Sequence, residues 1–168
     1  DLVVGEGNPG AVAIRHQAAE GSAIEDCTID VTHGLVGIEG GIGSGGGSAN
    51  VTVIGGRIGL DFTGYFSGTQ PTPTITGFTL QGQTQTAIRT TSRQTLVAAG
   101  LKIIADKCVG PLINCNQSGN WQAHNGQLSL VDSEIAFVPA SGTKGDRVAI
   151  SSNRNVYLNN VYLRGADK

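Results

Sequence analysis

The chain has 168 residues and a formal net charge of −2, with only 14% charged residues and 26 glycines. This length is enough for one domain with a sizeable core. The composition offers no basic stripe for nucleic acid or an anionic membrane, and no apolar run approaches the roughly 18–20 residues of a membrane-spanning helix. We therefore expect neither nucleic acid nor a membrane as a partner.

A first repeat begins with the segment AIEDCTID at 23–30, in which an Ile follows the apolar anchor by five residues. The anchors of its six copies are Ile24, Val53, Ile75, Ala98, Leu130 and Leu158. The residues five positions later are Ile29, Ile58, Leu80, Ile103, Ile135 and Leu163. The residues two positions after the anchors are Asp26, Gly55, Gly77, Gly100, Asp132 and Asn160. Because Gly, Asn and Asp adopt a positive φ at the lowest cost, each copy predicts two short strands with a sharp bend between them.

A second repeat alternates with the first and consists of an apolar residue followed directly by a polar one. The apolar residues are Ile14, Ile38, Leu60, Ile88, Ile113 and Ile150. The polar residues are Arg15, Glu39, Asp61, Arg89, Asn114 and Ser151. We expect the apolar set to form an inner column and the polar set an outer one.

A strand repeat of 20–30 residues without helical periodicity is typical of a parallel β-solenoid. We predict an all-β fold, a single-stranded parallel β-helix of about six rungs, right-handed as is common for rungs of this length. An antiparallel sandwich would need tight hairpin signals between strands, and only Asn125-Gly126 offers one. We expect 1–168 to form one β-helix domain.

A solenoid needs caps at its ends, because an open end exposes core residues and unpaired backbone. The sequence offers no amphipathic capping helix at either terminus and contains no Met. We therefore expect a fragment of a longer protein, in which further β-helix rungs or another domain of the parent chain cover an end.

Four insertions interrupt the rungs, at 41–48, 63–73, 114–126 and 138–146. In repeat proteins such insertions tend to fall on the binding face. The second carries Tyr65, and the third carries Trp121 and His124 among amide side chains. Aromatic faces beside amides suit a sugar ring, so we name these three residues as candidates for polysaccharide binding. The alternative is that the aromatic side chains fold back onto the solenoid wall.

The polar column places Glu39 and Asp61 on adjacent rungs, between Arg15 and Arg89. A carboxylate pair is what glycoside hydrolysis requires, so we add both residues to the candidate substrate-binding set. The flanking arginines favour a neutralising ladder instead, which would hold both carboxylates ionised. We assign no catalytic residue and expect no cofactor. We expect no metal either, because the acidic residues near Asp26 alternate across faces.

The cysteines show no metal-binding or redox spacing. Cys27 falls on an inward position, whereas Cys108 and Cys115 could form a loop disulfide or remain free. Two glycosylation tripeptides, at Asn50 and Asn116, favour a secreted, extracellular protein.

Four segments resemble the central rungs of the pectate-lyase-like superfamily: GAVAIRHQAAEGSAIEDCTIDV, GLVGIEGGIGSGGGSANVTVIGGRIGLDF, QTAIRTTSRQTLVAAGLKI and GQLSLVDSEI. Within it the chain is most similar to family 55 glycoside hydrolases, the exo-acting β-1,3-glucanases. This resemblance covers about residues 10–137. It implies secretion, a right-handed parallel β-helix and action on a polysaccharide.

Family 55 enzymes have two tandem β-helix domains, and their catalytic acid lies in the second. This stretch resembles rungs of the first, so the resemblance implies that the chain is inactive alone. Two alternatives stay open: a non-catalytic glycan-binding β-helix of the tailspike or adhesin type, and a pectate-lyase-type polysaccharide lyase. The lyase would need an acidic calcium cluster and an unpaired basic residue.

Overall fold

A computed structural model describes residues 1–17, 21–41, 46–63, 73–90, 95–116, 126–138 and 146–168. Within these ranges every regular element is a β-strand, and no helix long and apolar enough to cross a membrane occurs. The strands are β1 (Leu2–Val3), β2 (Val12–Gln17), β3 (Glu25–Asp30), β4 (Val36–Gly41), β5 (Ser48–Ile54), β6 (Ile58–Asp61), β7 (Thr74–Thr76), β8 (Thr79–Gln81), β9 (Thr86–Arg89), β10 (Leu96–Ala99), β11 (Lys102–Ala105), β12 (Ile113–Asn114), β13 (Gln127–Phe137), β14 (Ile150–Ser151) and β15 (Asn155–Arg164).

The strands form two parallel sheets, and each strand pairs with its equivalent one turn later. Sheet A contains β1, β3, β5, β7, β8, β10, β11, β13 and β15. Sheet B contains β2, β4, β6, β9, β12 and β14. The chain alternates between the sheets and so builds a parallel β-solenoid of about five turns, which confirms the predicted fold class.

The core lies between the two sheets and is built of stacked apolar columns. In sheet B, Ile38 pairs with Leu60, which pairs with Ile88, and all three are at most 4% exposed. The predicted second repeat is therefore confirmed. In sheet A, Leu80 pairs with Ile103, which pairs with Ile135 in the same way. Burial of such columns is the main stabilising term of a solenoid, because each rung covers the apolar face of its neighbour.

The first repeat is correct in five of its six copies, and the copy anchored at Val53 is wrong. Val53 pairs with Ile29 and with Leu80, so it lies five residues further along the rung than predicted. Ser48 occupies the anchor position instead, and its Oγ accepts a hydrogen bond from the Ile24 N–H at 3.0 Å. Because Ser48 is a polar residue at an apolar position, the repeat pattern did not recognise it as the anchor. The pattern fitted Val53 instead, five residues further along the chain.

A column of left-handed residues bends every rung of sheet A at the same place. The bend residues are Asp26, Asn50, Gly77, Gly100, Asp132 and Asn160, with φ between 49° and 63°. Asn50 therefore occupies the bend position that was predicted for Gly55. Gly55 itself lies in the connection between β5 and β6. Two pairs of neighbours in the column are hydrogen-bonded: Asn50 Nδ2 donates to Asp26 Oδ1 at 3.1 Å, and Asn160 Nδ2 donates to Asp132 Oδ1 at 2.6 Å. These contacts between rungs compensate part of the cost of the positive φ.

Two glycines of sheet B lie where no side chain would fit. A Cβ on Gly37 would lie 2.5 Å from Val53 Cγ1 and 2.7 Å from the Gly59 carbonyl oxygen. A Cβ on Gly59 would lie 2.7 Å from the Ala87 carbonyl oxygen. Val53 of sheet A thus packs against Gly37, and the backbone of the next sheet B strand lies beside both glycines.

Candidate functional site

Five of the connections between strands leave the solenoid from one edge. The connections that contain residues 18–20, 42–45, 64–72, 91–94 and 117–125 all join the end of a sheet B strand to the start of the next sheet A strand. Since both sheets are parallel, the described flanks of these connections lie along a single edge of the stack, which we name the loop edge. Three of the four predicted insertions belong to it, and 138–146 leaves from the end of sheet A.

Three of the candidate residues, Tyr65, Trp121 and His124, lie outside the described residues. The strands that flank them are described: β6 and β7 enclose the loop with Tyr65, and β12 and β13 enclose the loop with the other two. Both loops are therefore anchored at the loop edge. Their part in ligand binding stays a prediction.

Glu39 and Asp61 lie where β4 and β6 end, at the base of the loop edge, and they pair with each other across adjacent rungs. Arg15 donates to Glu39 Oε2 from Nε at 3.1 Å and from Nη2 at 3.0 Å. Arg89 donates to Asp61 Oδ1 from Nε at 3.2 Å and to Oδ2 from Nη2. The structure thus brings these four side chains together as the neutralising ladder that the sequence predicts.

The Asp61 carboxylate is the more enclosed of the two, with 6% of its side chain exposed against 28% for Glu39. Besides Arg89, it accepts hydrogen bonds from Thr63 through the backbone N–H at 3.1 Å and Oγ1 at 2.6 Å. The hydrogen bond to Asp61 raises the pKa of Arg89, although partial burial acts in the opposite direction. Both carboxylate oxygens of Asp61 are thus engaged by hydrogen-bond donors of the chain itself. The ladder holds the ends of the sheet B strands below the loops.

A shallow open groove of about 300 Å³ lies at the same edge, over the first residues of β3, β5 and β7. Its floor is formed by small residues, among them Gly21, Gly47 and Ala49, and its walls carry Thr74 and Thr76. Glu25 places a carboxylate at one end, since Glu25 pairs with Ala49 and Ala49 with Thr76. The groove therefore combines an accessible backbone with hydroxyl and carboxylate groups.

Sequence reasoning did not identify this groove. Glu25 is one of the acidic residues near Asp26 that the sequence analysis weighs only as metal ligands, and the two threonines are not among its candidates. A signal was nevertheless present in the triplet Thr74-Ile75-Thr76, in which the central residue is 2% exposed and the flanking residues face outward. The groove depends on which rungs are adjacent, and the misplaced register of β5 hid that neighbourhood.

The described ranges were also searched for metal-ligand clusters and reactive thiols. No three His, Cys, Asp or Glu residues there lie close enough together to hold a metal ion. The thiols of Cys27, Cys108 and Cys115 are free, which resolves the open question of a loop disulfide. Burial raises the pKa of Cys108, and it raises the pKa of Cys115 to about 11. Such thiols are poor nucleophiles because the thiolate is the reactive form.

Comparisons of the chain with protein-family models, with curated proteins and with solved structures find no match. The resemblance to family 55 glycoside hydrolases therefore rests on its motif residues. The structure itself shows a parallel β-solenoid, a fold compatible with the pectate-lyase-like superfamily.

Proposed function

We propose that this chain is the polysaccharide-binding β-helix portion of a secreted carbohydrate-active protein, and that its ligand is a β-1,3-glucan. The observation that carries the proposal is the groove at the loop edge. Sugar rings present hydroxyl groups around a flat apolar face, and a site for them needs hydrogen-bonding groups beside small or aromatic surfaces. Glu25, Thr74 and Thr76 supply the former. The loops with Tyr65 and Trp121 start from the same edge.

The low charge of the chain supports a neutral ligand. With 14% charged residues, the surface has few fixed charges to attract an anionic polymer. The motif resemblance to the β-1,3-glucanases favours a β-1,3-linked glucan among neutral polysaccharides. It also places the catalytic acid in a second β-helix of a longer protein, so this portion would contribute to a substrate cleft without cutting.

The state of the ladder supports binding without cleavage. Glycoside hydrolysis uses two carboxyl groups, of which one is protonated. Glu39 and Asp61 are each held by an arginine of the ladder, which argues against a role for them in cleavage. This observation equally favours the second candidate function, a non-catalytic glycan-binding β-helix of the tailspike or adhesin type. A pectate-type lyase has less support, because the described residues contain no cluster suited to calcium.

The test is a titration of the chain with β-1,3-gluco-oligosaccharides, with β-1,4-gluco-oligosaccharides and polygalacturonate as comparison ligands. We expect saturable binding of the β-1,3 series and no new reducing ends. Thr76→Val should weaken binding about 2- to 10-fold, the equivalent of one hydrogen bond. Thr79→Val, a matched change in the next strand of sheet A and outside the groove, should leave it unchanged.

Three results would contradict the proposal. Release of glucose by the isolated chain would show that it contains its own catalytic acid. Calcium-dependent formation of unsaturated products from polygalacturonate would establish the lyase. If every glycan bound equally well and Thr76→Val had no effect on binding, the groove would not be the binding site.

A further inference from the structure

The groove continues onto the outer face of the neighbouring rungs of sheet A. Its β7 wall pairs with β10, which pairs with β13, which pairs with β15. Before the bend, the outward residues of these strands form two columns. The first column contains Thr74, Val97, Ser129 and Tyr157. The second column contains Thr76, Ala99, Val131 and Asn159. We name the two columns together the outer strip.

The register fixes the outward orientation of the strip. Ile75, Ala98 and Leu130 stand between the two columns and are at most 2% exposed. Side chains alternate between the faces of a strand, so the residues on either side of these three point away from the core. A further rung beside β15 would not cover this face, because paired strands lie side by side.

The strip has a border along each of its long sides. The loop edge lies before its first column. The bend residues follow its second column, and there the sheet turns at positive φ values of 49° to 63°. A ligand that leaves the groove without crossing a bend or a loop therefore has to follow the axis of the stack.

The charge of the face changes at the bend. The outer strip contains no charged side chain. Beyond the bend, Glu134 lies 3.8 Å from the ammonium group of Lys102 and 3.8 Å from the guanidinium of Arg164. A neutral polymer can lie on the strip without displacing an ion pair, which it could not do on the other side of the bend.

Tyr157 gives the strip an aromatic surface. Its hydroxyl oxygen accepts a hydrogen bond from Asn159 Nδ2 at 3.2 Å. Asn159 lies two residues further along the same face, so the ring leans along β15 and its orientation is fixed by this contact. The side chain is outward-facing and 55% exposed. A ring held in this way can stack on the apolar face of a sugar.

The distance between the groove and Tyr157 sets the length of ligand that could reach both. Ala49 in the groove and Tyr157 are separated by four strand spacings, which is about 19 Å at ~4.8 Å for each strand. A sugar residue in a chain spans roughly one such spacing, so an oligosaccharide of about four or five units would reach from the groove to the tyrosine.

We propose that the glucan lies along the axis of the solenoid, from the groove over the outer strip, and that Tyr157 stacks on one of its sugar rings. This inference rests on the proposed function and adds the direction of the bound chain, its length and a second contact residue. The groove supplies hydrogen bonds at one end of the ligand, and the aromatic ring supplies stacking at the other end.

The first experiment measures affinity against ligand length by calorimetric titration of the chain with β-1,3-gluco-oligosaccharides of increasing length. The disaccharide reaches the groove alone. We expect affinity to rise about 10-fold or more between the disaccharide and the pentasaccharide and then to level off. Thr76→Val should weaken the binding of every length, because Thr76 lies in the groove.

The second experiment compares the two tyrosines of β15. Tyr157→Ala should lower the affinity for the pentasaccharide about 3- to 10-fold and leave the disaccharide unaffected. Tyr157→Phe keeps the ring and should keep most of the affinity. Tyr162→Ala is the matched control, since Tyr162 faces outward on the same strand beyond the bend, where it pairs with Glu134. Far-ultraviolet circular dichroism confirms that the variants fold.

Four results would overturn the inference. If affinity is independent of length while Thr76→Val still weakens binding, the glucan stays in the groove, and only the proposed function stands. Equal losses of affinity in Tyr157→Ala and Tyr162→Ala would contradict a site on one side of the bend. Weaker binding by Thr79→Val would show that the ligand crosses the bend. A chain that binds no β-1,3-gluco-oligosaccharide of any length would remove the proposed function and this inference together.

Discussion

Arg89 lies one rung beyond Asp61, and its guanidinium donates to both carboxylate oxygens of that residue. This pair of hydrogen bonds connects the last residue of β9 to the last residue of β6. Thr63 Oγ1 adds a third contact from the first residues of the loop. This arrangement ties the base of the loop edge to the stack, so the loops start from a rigid frame.

The two ion pairs of the ladder should differ in their effect on stability. Arg89→Gln removes a charge from a carboxylate whose side chain is 6% exposed, and we expect the free energy of unfolding to fall by about 1–3 kcal/mol. Arg15→Gln acts on a solvent-exposed pair and should cost less than about 1 kcal/mol. Urea denaturation measures both. Equal losses would show that Asp61 does not depend on its arginine.

The glycine stripe of sheet B predicts a second difference. Gly37→Ala would place a methyl group against Val53 and the Gly59 carbonyl, and overpacking of this kind typically costs about 1–3 kcal/mol. Gly47→Ala is the matched control, since its nearest neighbour is the Thr74 carbonyl oxygen at 3.9 Å. We expect a lower melting temperature for the first variant only. If both variants melt alike, the sheets do not approach as closely as described.

The bend column predicts a distinction between two replacements of one residue. Asn50 has a φ of 55° and donates to Asp26. Asn50→Ala loses the hydrogen bond and also places an alanine at a positive φ. We expect the two effects together to lower the free energy of unfolding by about 1–2 kcal/mol. Asn50→Gly loses only the hydrogen bond and should cost less. The melting temperatures of the two variants, measured by thermal unfolding, test this difference. A lower melting temperature for Asn50→Gly than for Asn50→Ala would argue against the bend at this position.

The buried thiol of Cys115 predicts a dependence on alkaline pH. Burial raises its pKa from about 9 to about 11 in the folded chain. The folded state therefore holds this proton more tightly than the unfolded state, so the resulting stability is fully present below pH 9 and is lost as the pH rises towards 11. By linkage the loss is about 2–3 kcal/mol.

Cys115→Ala provides the comparison, because it lacks the thiol and keeps every other alkaline group. Its stability should fall less than that of the native chain between pH 9 and pH 11, as measured by urea denaturation at fixed pH. Parallel curves for the two chains would show that the thiol titrates normally and is not buried.

The fold could be predicted from the sequence because the solenoid repeats its requirements in every rung. Ile38, Leu60 and Ile88 form a column since each faces the same interior, and the bend accepts only a few residue types. The register of the copy at β5 was predicted wrongly because Ser48 occupies an apolar position, where its hydroxyl accepts a hydrogen bond from the neighbouring rung. A single satisfied polar residue is invisible to a pattern of apolar positions.

The site was only partly predictable for a related reason. The ladder followed directly from the second repeat, as Arg15, Glu39, Asp61 and Arg89 occupy one position of successive rungs. The groove depends on the small size of Gly47 and Ala49, and small residues give no chemical signal in a sequence.

The most direct test of glycan binding at the loop edge uses the chain's only tryptophan, Trp121, as its reporter. Intrinsic fluorescence is followed while β-1,3-gluco-oligosaccharides are added to the folded chain. We predict a saturable change in intensity or wavelength, which weakens in Thr76→Val and is absent with polygalacturonate. A spectrum that stays unchanged up to millimolar oligosaccharide, in a chain that remains folded, would contradict the account.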